Sequence, residues 1–252
     1  MSVLQSIGYR HSHSTIEEFK NCPQKAVAKK IFKLEEKATD HLRKGLCTEY
    51  AIRYKLHRDP DDHKFRKYIE RQWEDLDGED TKFYQWCFDA SKLGAECLEQ
   101  RQLKRINQYQ RQFSEHLEYF KYPLLGYGDF RIKDINIDIK ATSKMPSKPK
   151  WSHIKQQSKY WGMSGKKERF SLLYVTNKKV EFYDITQKEL ELGWEESLSD
   201  MRWIEHLDHL CQTKQEWINI FPYPDTDSFY FSDENLKQQI ITLWKGEQNA
   251  ND

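Results

Sequence analysis

GYGDFRIKDINIDIKATS, running from Gly126 to Ser143, is the stretch from which the fold is best read. Two short segments rich in β-branched and aromatic residues flank a polar break, the pattern of a hairpin. With Asp134 and Ile135 at the tip, Asp129 falls opposite Lys140, and Asp138 shares their face because two residues separate it from Lys140. Ile137 and Ile139 then point to the other face, where a helix can cover them. A slip of one residue would turn Asp129 to the wrong side, so the turn decides whether the three ionisable groups meet.

Outward from this hairpin, QFSEHLEYF, PLLGYGDFRI, FSLLYVT and VEFYDI read as further strands of one mixed or antiparallel sheet. Ser152–Met163 interrupts the strands with a helix-compatible run. Before the sheet, Ser14 and Glu17 have the spacing of a capping box opening a helix that Pro23 ends, and one or two helices follow from about Gln24 to Leu56. HRDPDD breaks that pattern, and more helix is expected from about His63 to Gln112, interrupted near DLDGED. From about Glu189 helical patterns return around the loop FPYPDTD. The expected architecture is α+β, a central mixed sheet flanked by helices. It is taken as a single domain over 1–252, with a helical region at about 12–112, a sheet core at 113–185 and a helical tail at 186–252.

Composition bounds the alternatives. The 252 residues are 37% hydrophobic and 14% aromatic, enough for one sizeable core and too varied for a disordered polymer. No window approaches the ~18 consecutive apolar residues of a membrane helix, and MSVLQSIGYRHSHS lacks the regions of a signal peptide, so a cytoplasmic setting is expected. Cys22, Cys47, Cys87, Cys97 and Cys211 are scattered and odd in number, which argues for reduced thiols over a disulfide framework or a zinc ribbon. The net charge of +1 does not announce a nucleic-acid binder, yet Lys140–Lys167 holds eight lysines and no acid. Such a strip either follows a phosphate backbone or is a solvated face.

Two carboxylates and a lysine on one strand face suit phosphodiester hydrolysis. Asp129 and Asp138 offer hard oxygen ligands for Mg²⁺ or Mn²⁺ while leaving positions for water and a phosphate oxygen. Such a metal lowers the pKa of its water and neutralises charge developing in the transition state. Lys140 would orient the attacking water and stabilise the same charge, and the backbone carbonyl of Ile139 is a natural further ligand. Standing alone, a D…DxK pattern more often marks solvated charges on an edge strand.

The GxxD strand, the IDIK strand and the helix carrying Gln156-x-x-x-Tyr160 together resemble the RecB-type branch of the PD-(D/E)xK nucleases. That branch includes the RecB nuclease domain, CRISPR-associated exonucleases, the mitochondrial genome maintenance exonuclease and many phage exonucleases. HSHSTIEEFKNCPQK is similar to its opening helix, and the resemblance runs from about Ser12 to Ile185. It implies a restriction-endonuclease-like core and a metal-dependent DNA exonuclease of recombination, repair or phage DNA processing. It also implies metal binding by Asp129 and Asp138, a catalytic Lys140, and Gln156 and Tyr160 near the DNA. The remaining ligand would come from an earlier helix. Gly45-Leu46-Cys47-Thr48-Glu49 fits best, with Glu49 as ligand, and Glu96 in KLGAECLE is the second choice.

Where many relatives have threonine directly after the lysine, this chain has Ala141 and then Thr142, so phosphate contact is expected from Thr142, Ser143 and Lys144 together. With Cys211 alone near the C-terminus, no iron–sulfur cluster is expected. Tyr160 and Trp161 either stack on bases or pack in the core, and His11, His13 and His153 are read as structural or exposed. Helices within about 57–112 forming a gate for a free strand would favour an exonuclease over a structure-selective endonuclease. A catalytically silent DNA-binding or partner-binding protein is the reading from a different class. FPYPDTDSFYF would either dock a recombination partner or close the core, and closure is favoured.

Overall fold

A computed structural model describes residues 1–37, 39–56 and 81–248. The elements are α1 (Val3–Ser6), α2 (His13–Asn21), α3 (Pro23–Lys30), α4 (Asp40–Leu56), α5 (Thr81–Gln100), β1 (Gln108–Glu115), β2 (Leu124–Ile132) and β3 (Ile135–Ala141). There follow α6 (Trp151–Met163), β4 (Arg169–Val175), β5 (Val180–Asp184), α7 (Gln187–Leu210), α8 (Lys214–Asn219), a 3₁₀ turn at Phe229–Phe231 and α9 (Glu234–Gln248). The class is α+β, with one five-stranded mixed sheet in the order β1-β2-β3-β4-β5. The expected helix from about His63, as far as residue 80, and with it that part of the gate, lies outside the described residues.

The hairpin turns at Lys133 and Asp134, one residue earlier than the sequence suggests, with Lys133 in the left-handed region at φ 55°. Phe130 pairs with Ile137 and Ile132 with Ile135, so Asp129 falls opposite Asp138 instead of Lys140. The register thus differs by two residues, a full side-chain period, and the three groups keep their common face. β3 and β4 run parallel, matching Asp138 to Leu172 and Lys140 to Tyr174, and α6 supplies the crossover that parallel pairing needs. β4 reads RFSLLYV and is buried from Phe170 onward because helices cover both of its faces. Ile137, Ile139, Leu173 and Val175 pack under α4 and α5 with Ile52, Leu56, Ala90 and Leu98. Each such isoleucine, leucine or valine contributes about 1.5–3 kcal/mol of burial. At Gly94 of α5 an added Cβ would stand 2.6 Å from Ile52 Cδ1, so the absence of a side chain there is what lets the two helices meet.

Two sequence expectations shift. The first strand begins at Gln108 and ends at Glu115, because polar residues are tolerated on an edge strand. His116–Phe120 instead forms a turn closed by the His116 ring on the Phe120 carbonyl. The cap of α2 is Ser12, not Ser14: its hydroxyl accepts from the Thr15 backbone N–H at 3.2 Å. Pro23 both ends α2 and opens α3, where its missing N–H costs nothing.

Contacts divide the chain into two units. The first comprises Met1–Lys37, Ser114–Gly126 and Glu195–Asp252; its core holds Leu4, Phe19, Trp217, Leu236, Ile240 and Trp244. Phe231, from the FPYPDTDSFYF segment, is buried and Phe229 is 79% exposed. The second, Ala38–Phe113 and Tyr127–Trp194, holds the β2–β3 hairpin face and α4, α5 and α6. No described helix is long and apolar enough to cross a membrane. All five cysteines are free thiols.

Candidate active site

Within the second unit, a cleft of about 600 Å³ is lined by Glu49, Asp129, Asp138, Ile139, Lys140, Thr142, Ser143, Lys144 and Gln156, with Leu42, Gly45, Leu46, Lys150 and His153 on its walls. The hairpin supplies the two aspartates and the lysine, α4 supplies Glu49 and α6 supplies Gln156. Glu96 is exposed on α5 and lines a different cleft of about 770 Å³ with Arg101 and Lys148. Of the two glutamates considered, only Glu49 stands with the aspartates.

Three carboxylates share one cation here. Lys140 Nζ lies 2.6 Å from Asp138 Oδ2 in a charge-assisted contact, and Asp138 is 1% exposed. Asp129 Oδ2 accepts the Ile139 backbone N–H at 2.8 Å. Burial, then the charges of Asp138 and Glu49, hold the Asp129 carboxyl well above its ordinary pKa. Glu49 is also raised, by burial and against the hydrogen bond from the Gln110 amide, with Asp138 adding to the rise. Burial alone would lower Lys140, but Asp138 and Asp129 raise it above the usual lysine value, so it stays an ammonium. A lysine so held is an electrostatic and hydrogen-bonding group and not a proton acceptor.

The ammonium is fixed from the other side by α6. Lys140 Nζ donates to Gln156 Oε1 at 2.8 Å, and Gln156 Nε2 donates to Tyr160 Oη at 3.0 Å. Gln156 and Tyr160 are one helical turn apart on one face. Tyr160 does not line the cleft; it is 4% exposed, stacked on Phe113 at 5.0 Å, and reaches the site through Gln156. Thr142 turns its hydroxyl to the Lys144 carbonyl at 2.8 Å, whereas Ser143 and Lys144 are exposed at the rim. The lysine strip is broken, because Lys155 and Lys159 are buried in α6.

Sequence reasoning did not single out Gln110, Tyr174 or His153 as parts of this site. Gln110 holds Glu49 from a left-handed backbone at φ 49° inside β1, a conformation unfavourable for a residue with a side chain and found here beside the charged cluster. Nothing local in the sequence signals it. Tyr174 enters through its pairing with Lys140 across β3 and β4, a non-local register. His153 was legible, since it precedes Gln156 by three residues on a helix face.

Among the described residues no three His, Cys, Asp or Glu side chains form a ready metal cage. Mg²⁺ does not require one, since it commonly keeps several waters and takes one or two carboxylates plus a substrate phosphate. The donor set fits a hard divalent cation: all-oxygen, with an excess of buried negative charge that raises Asp129 and Glu49.

No family model matches the chain, and no curated protein matches it in sequence. Among solved structures, a crystal structure of a candidate exonuclease from Eubacterium rectale superposes with a TM-score of 0.58 at 14% identity, covering 81% of this chain and 83% of that one. At this identity the likeness is one of fold. SSO0001 aligns over 74% of this chain and 82% of its own at 15% identity, with a TM-score of 0.32, too loose to carry an argument.

Proposed function

We propose that this chain is a Mg²⁺- or Mn²⁺-dependent deoxyribonuclease of the PD-(D/E)xK class, RecB-type branch, acting as an exonuclease in recombination, repair or phage DNA processing. The observation that carries the proposal is the single cleft in which Glu49, Asp129 and Asp138 crowd around one ammonium that Gln156 holds from α6. The cluster gathers three buried carboxylates, each with a donor of its own, around that one ammonium, an excess of negative charge that a hard cation would offset. The fold shared with a protein named as a candidate exonuclease adds support of a coarser kind.

Asp129, Asp138 and Glu49, with the Ile139 carbonyl, would hold the metal, which when bound supplies Lewis-acid stabilisation and a more acidic water. Lys140, kept charged by its acidic neighbours, stabilises negative charge on the phosphate and orients the attacking water. Gln156 fixes the ammonium, and Tyr160 fixes Gln156. Gln110 holds Glu49. Ser143 and Lys144 at the rim, with Thr142 shaping the turn, would meet the strand.

The test is degradation of end-labelled single- and double-stranded DNA, linear and circular, with Mg²⁺, Mn²⁺ or EDTA, comparing wild type with Asp138→Ala and Lys140→Ala. Metal-dependent loss of linear DNA alone, abolished by both substitutions, is the expected result. Cleavage of circular DNA would move the assignment to a structure-selective endonuclease, and no cleavage under any condition to a binding protein.

A further inference from the structure

One wall of the cleft has no part in the roles above. The Lys150 backbone N–H donates to Tyr174 Oη at 3.0 Å, and the same oxygen lies 2.8 Å from His153 Nδ1. The rings are tilted by 30° with centroids 5.6 Å apart. A phenol has one proton to give, and among the described residues Tyr174 has no acceptor for it other than Nδ1. The hydrogen-bond network thereby assigns Nδ1 as the acceptor and the ring's own proton to Nε2. Burial, with the charges of Lys140 and Lys150, pushes the His153 pKa down to about 3, so the ring is neutral. Its Nδ1 is engaged, which leaves Nε2–H as the polar group it offers to the cleft it lines.

We propose that His153 is a substrate-binding residue of this cleft, presenting Nε2–H to a phosphodiester oxygen of the bound strand, and that Tyr174 is the positioning residue that fixes this tautomer. The inference rests on the nuclease reading and deepens it. Phosphodiester oxygens only accept hydrogen bonds, so a ring offering a donor matches them, whereas the other tautomer would present a lone pair. The neutral form also suits the place. Lys140 and the exposed Lys150 already stand there, and a charged ring beside them would be disfavoured by both desolvation and repulsion. Because a neutral imidazole N–H is far too weak an acid to release its proton and Nδ1 is engaged, His153 acts as a fixed donor and not as a general acid or base.

Steady-state cleavage of an end-labelled single-stranded oligodeoxynucleotide with Mg²⁺, alongside thermal melts, separates the possibilities for wild type, His153→Leu, His153→Gln, Tyr174→Phe and the double variant H153Q/Y174F. Losing a hydrogen bond to a charged group is expected to raise KM by roughly 10- to 100-fold in His153→Leu, with a smaller change in kcat. His153→Gln, whose amide nitrogen can donate from nearly the same place, should stay within a few-fold of wild type. Tyr174→Phe should weaken binding when histidine is present and add nothing to His153→Gln, a coupling that a merely structural tyrosine would not produce. A folded His153→Leu with wild-type KM, or a Tyr174→Phe loss of equal size in both backgrounds, overturns the inference while leaving the nuclease reading intact. A wild-type protein that cleaves nothing overturns both.

Discussion

The two units each bury carboxylates, and they treat them in opposite ways. In the first, Asp208 receives Ser2 Oγ at 2.6 Å, the Tyr122 hydroxyl, Lys121 Nζ at 2.8 Å and the Leu4 backbone N–H at 3.1 Å. Glu205 beside it receives the Tyr122 N–H at 3.0 Å and pairs with His11 at 3.1 Å. Burial alone would raise both acids, but these donors bring both below their ordinary pKa. In the second unit burial and mutual repulsion win, and Asp129 and Glu49 are raised. A buried acid with its donors supplied ties a chain together. Buried acids that outnumber their cations repel one another, and on the proposed reading a cation from outside would relieve that repulsion.

The contrast can be broken most forcefully in the first unit. Asp208→Ala leaves the Ser2 and Tyr122 hydroxyls and the Leu4 N–H without their buried acceptor and should cost about 3–5 kcal/mol, each such group contributing about 1–3, read as a lower midpoint in urea unfolding. Next in size is the response to metal: Mg²⁺ at about one hundred times its Kd should add about 2.7 kcal/mol to the stability of the wild type and nothing to Asp138→Asn, as seen by thermal melts with and without EDTA. If Asp138→Asn keeps the full metal response, the second unit's cluster is not a cation site. Smaller again, Asp129→Asn in EDTA should stabilise by roughly 0.5–2 kcal/mol at neutral pH, since it removes one of the repelling charges.

The smallest effect concerns pH, and its sign differs between the units. Asp208 and Glu205 are depressed in the fold, so their stabilisation is complete above the unfolded values of about 3.9–4.3 and is lost as pH falls through their folded values. Asp129 is raised, so it imposes a penalty at neutral pH that disappears as pH falls through its folded value. In metal-free protein, the protection factor of the Ile139 amide, bonded to Asp129, should therefore rise as pH falls, while that of the Leu4 amide, bonded to Asp208, should fall. Equal slopes at the two amides would erase the distinction.

The side-chain parity of the IDIK strand was legible because alternation is local, and it survived a two-residue error in register for the same reason. Fold class followed from runs such as FSLLYVT, buried on both faces by helices. The choice of Glu49 over Glu96 rested on a resemblance and needed the three-dimensional arrangement, since both are glutamates on amphipathic helices. Gln110 and Tyr174 were beyond reach because they enter through strand pairings and a backbone conformation that no neighbouring residue announces.

The double hold on Lys140 by Asp138 and Gln156 has a consequence for how the protein could evolve. A free lysine side chain has about 2 kcal/mol of rotamer entropy to lose, and here that loss falls on folding instead of on the encounter with a strand. The cleft is thus preorganised at the expense of the fold that carries it. Substitutions selected for heat resistance alone would drift toward neutralising Asp129, and on the proposed reading the hardier proteins so obtained would be the slower catalysts.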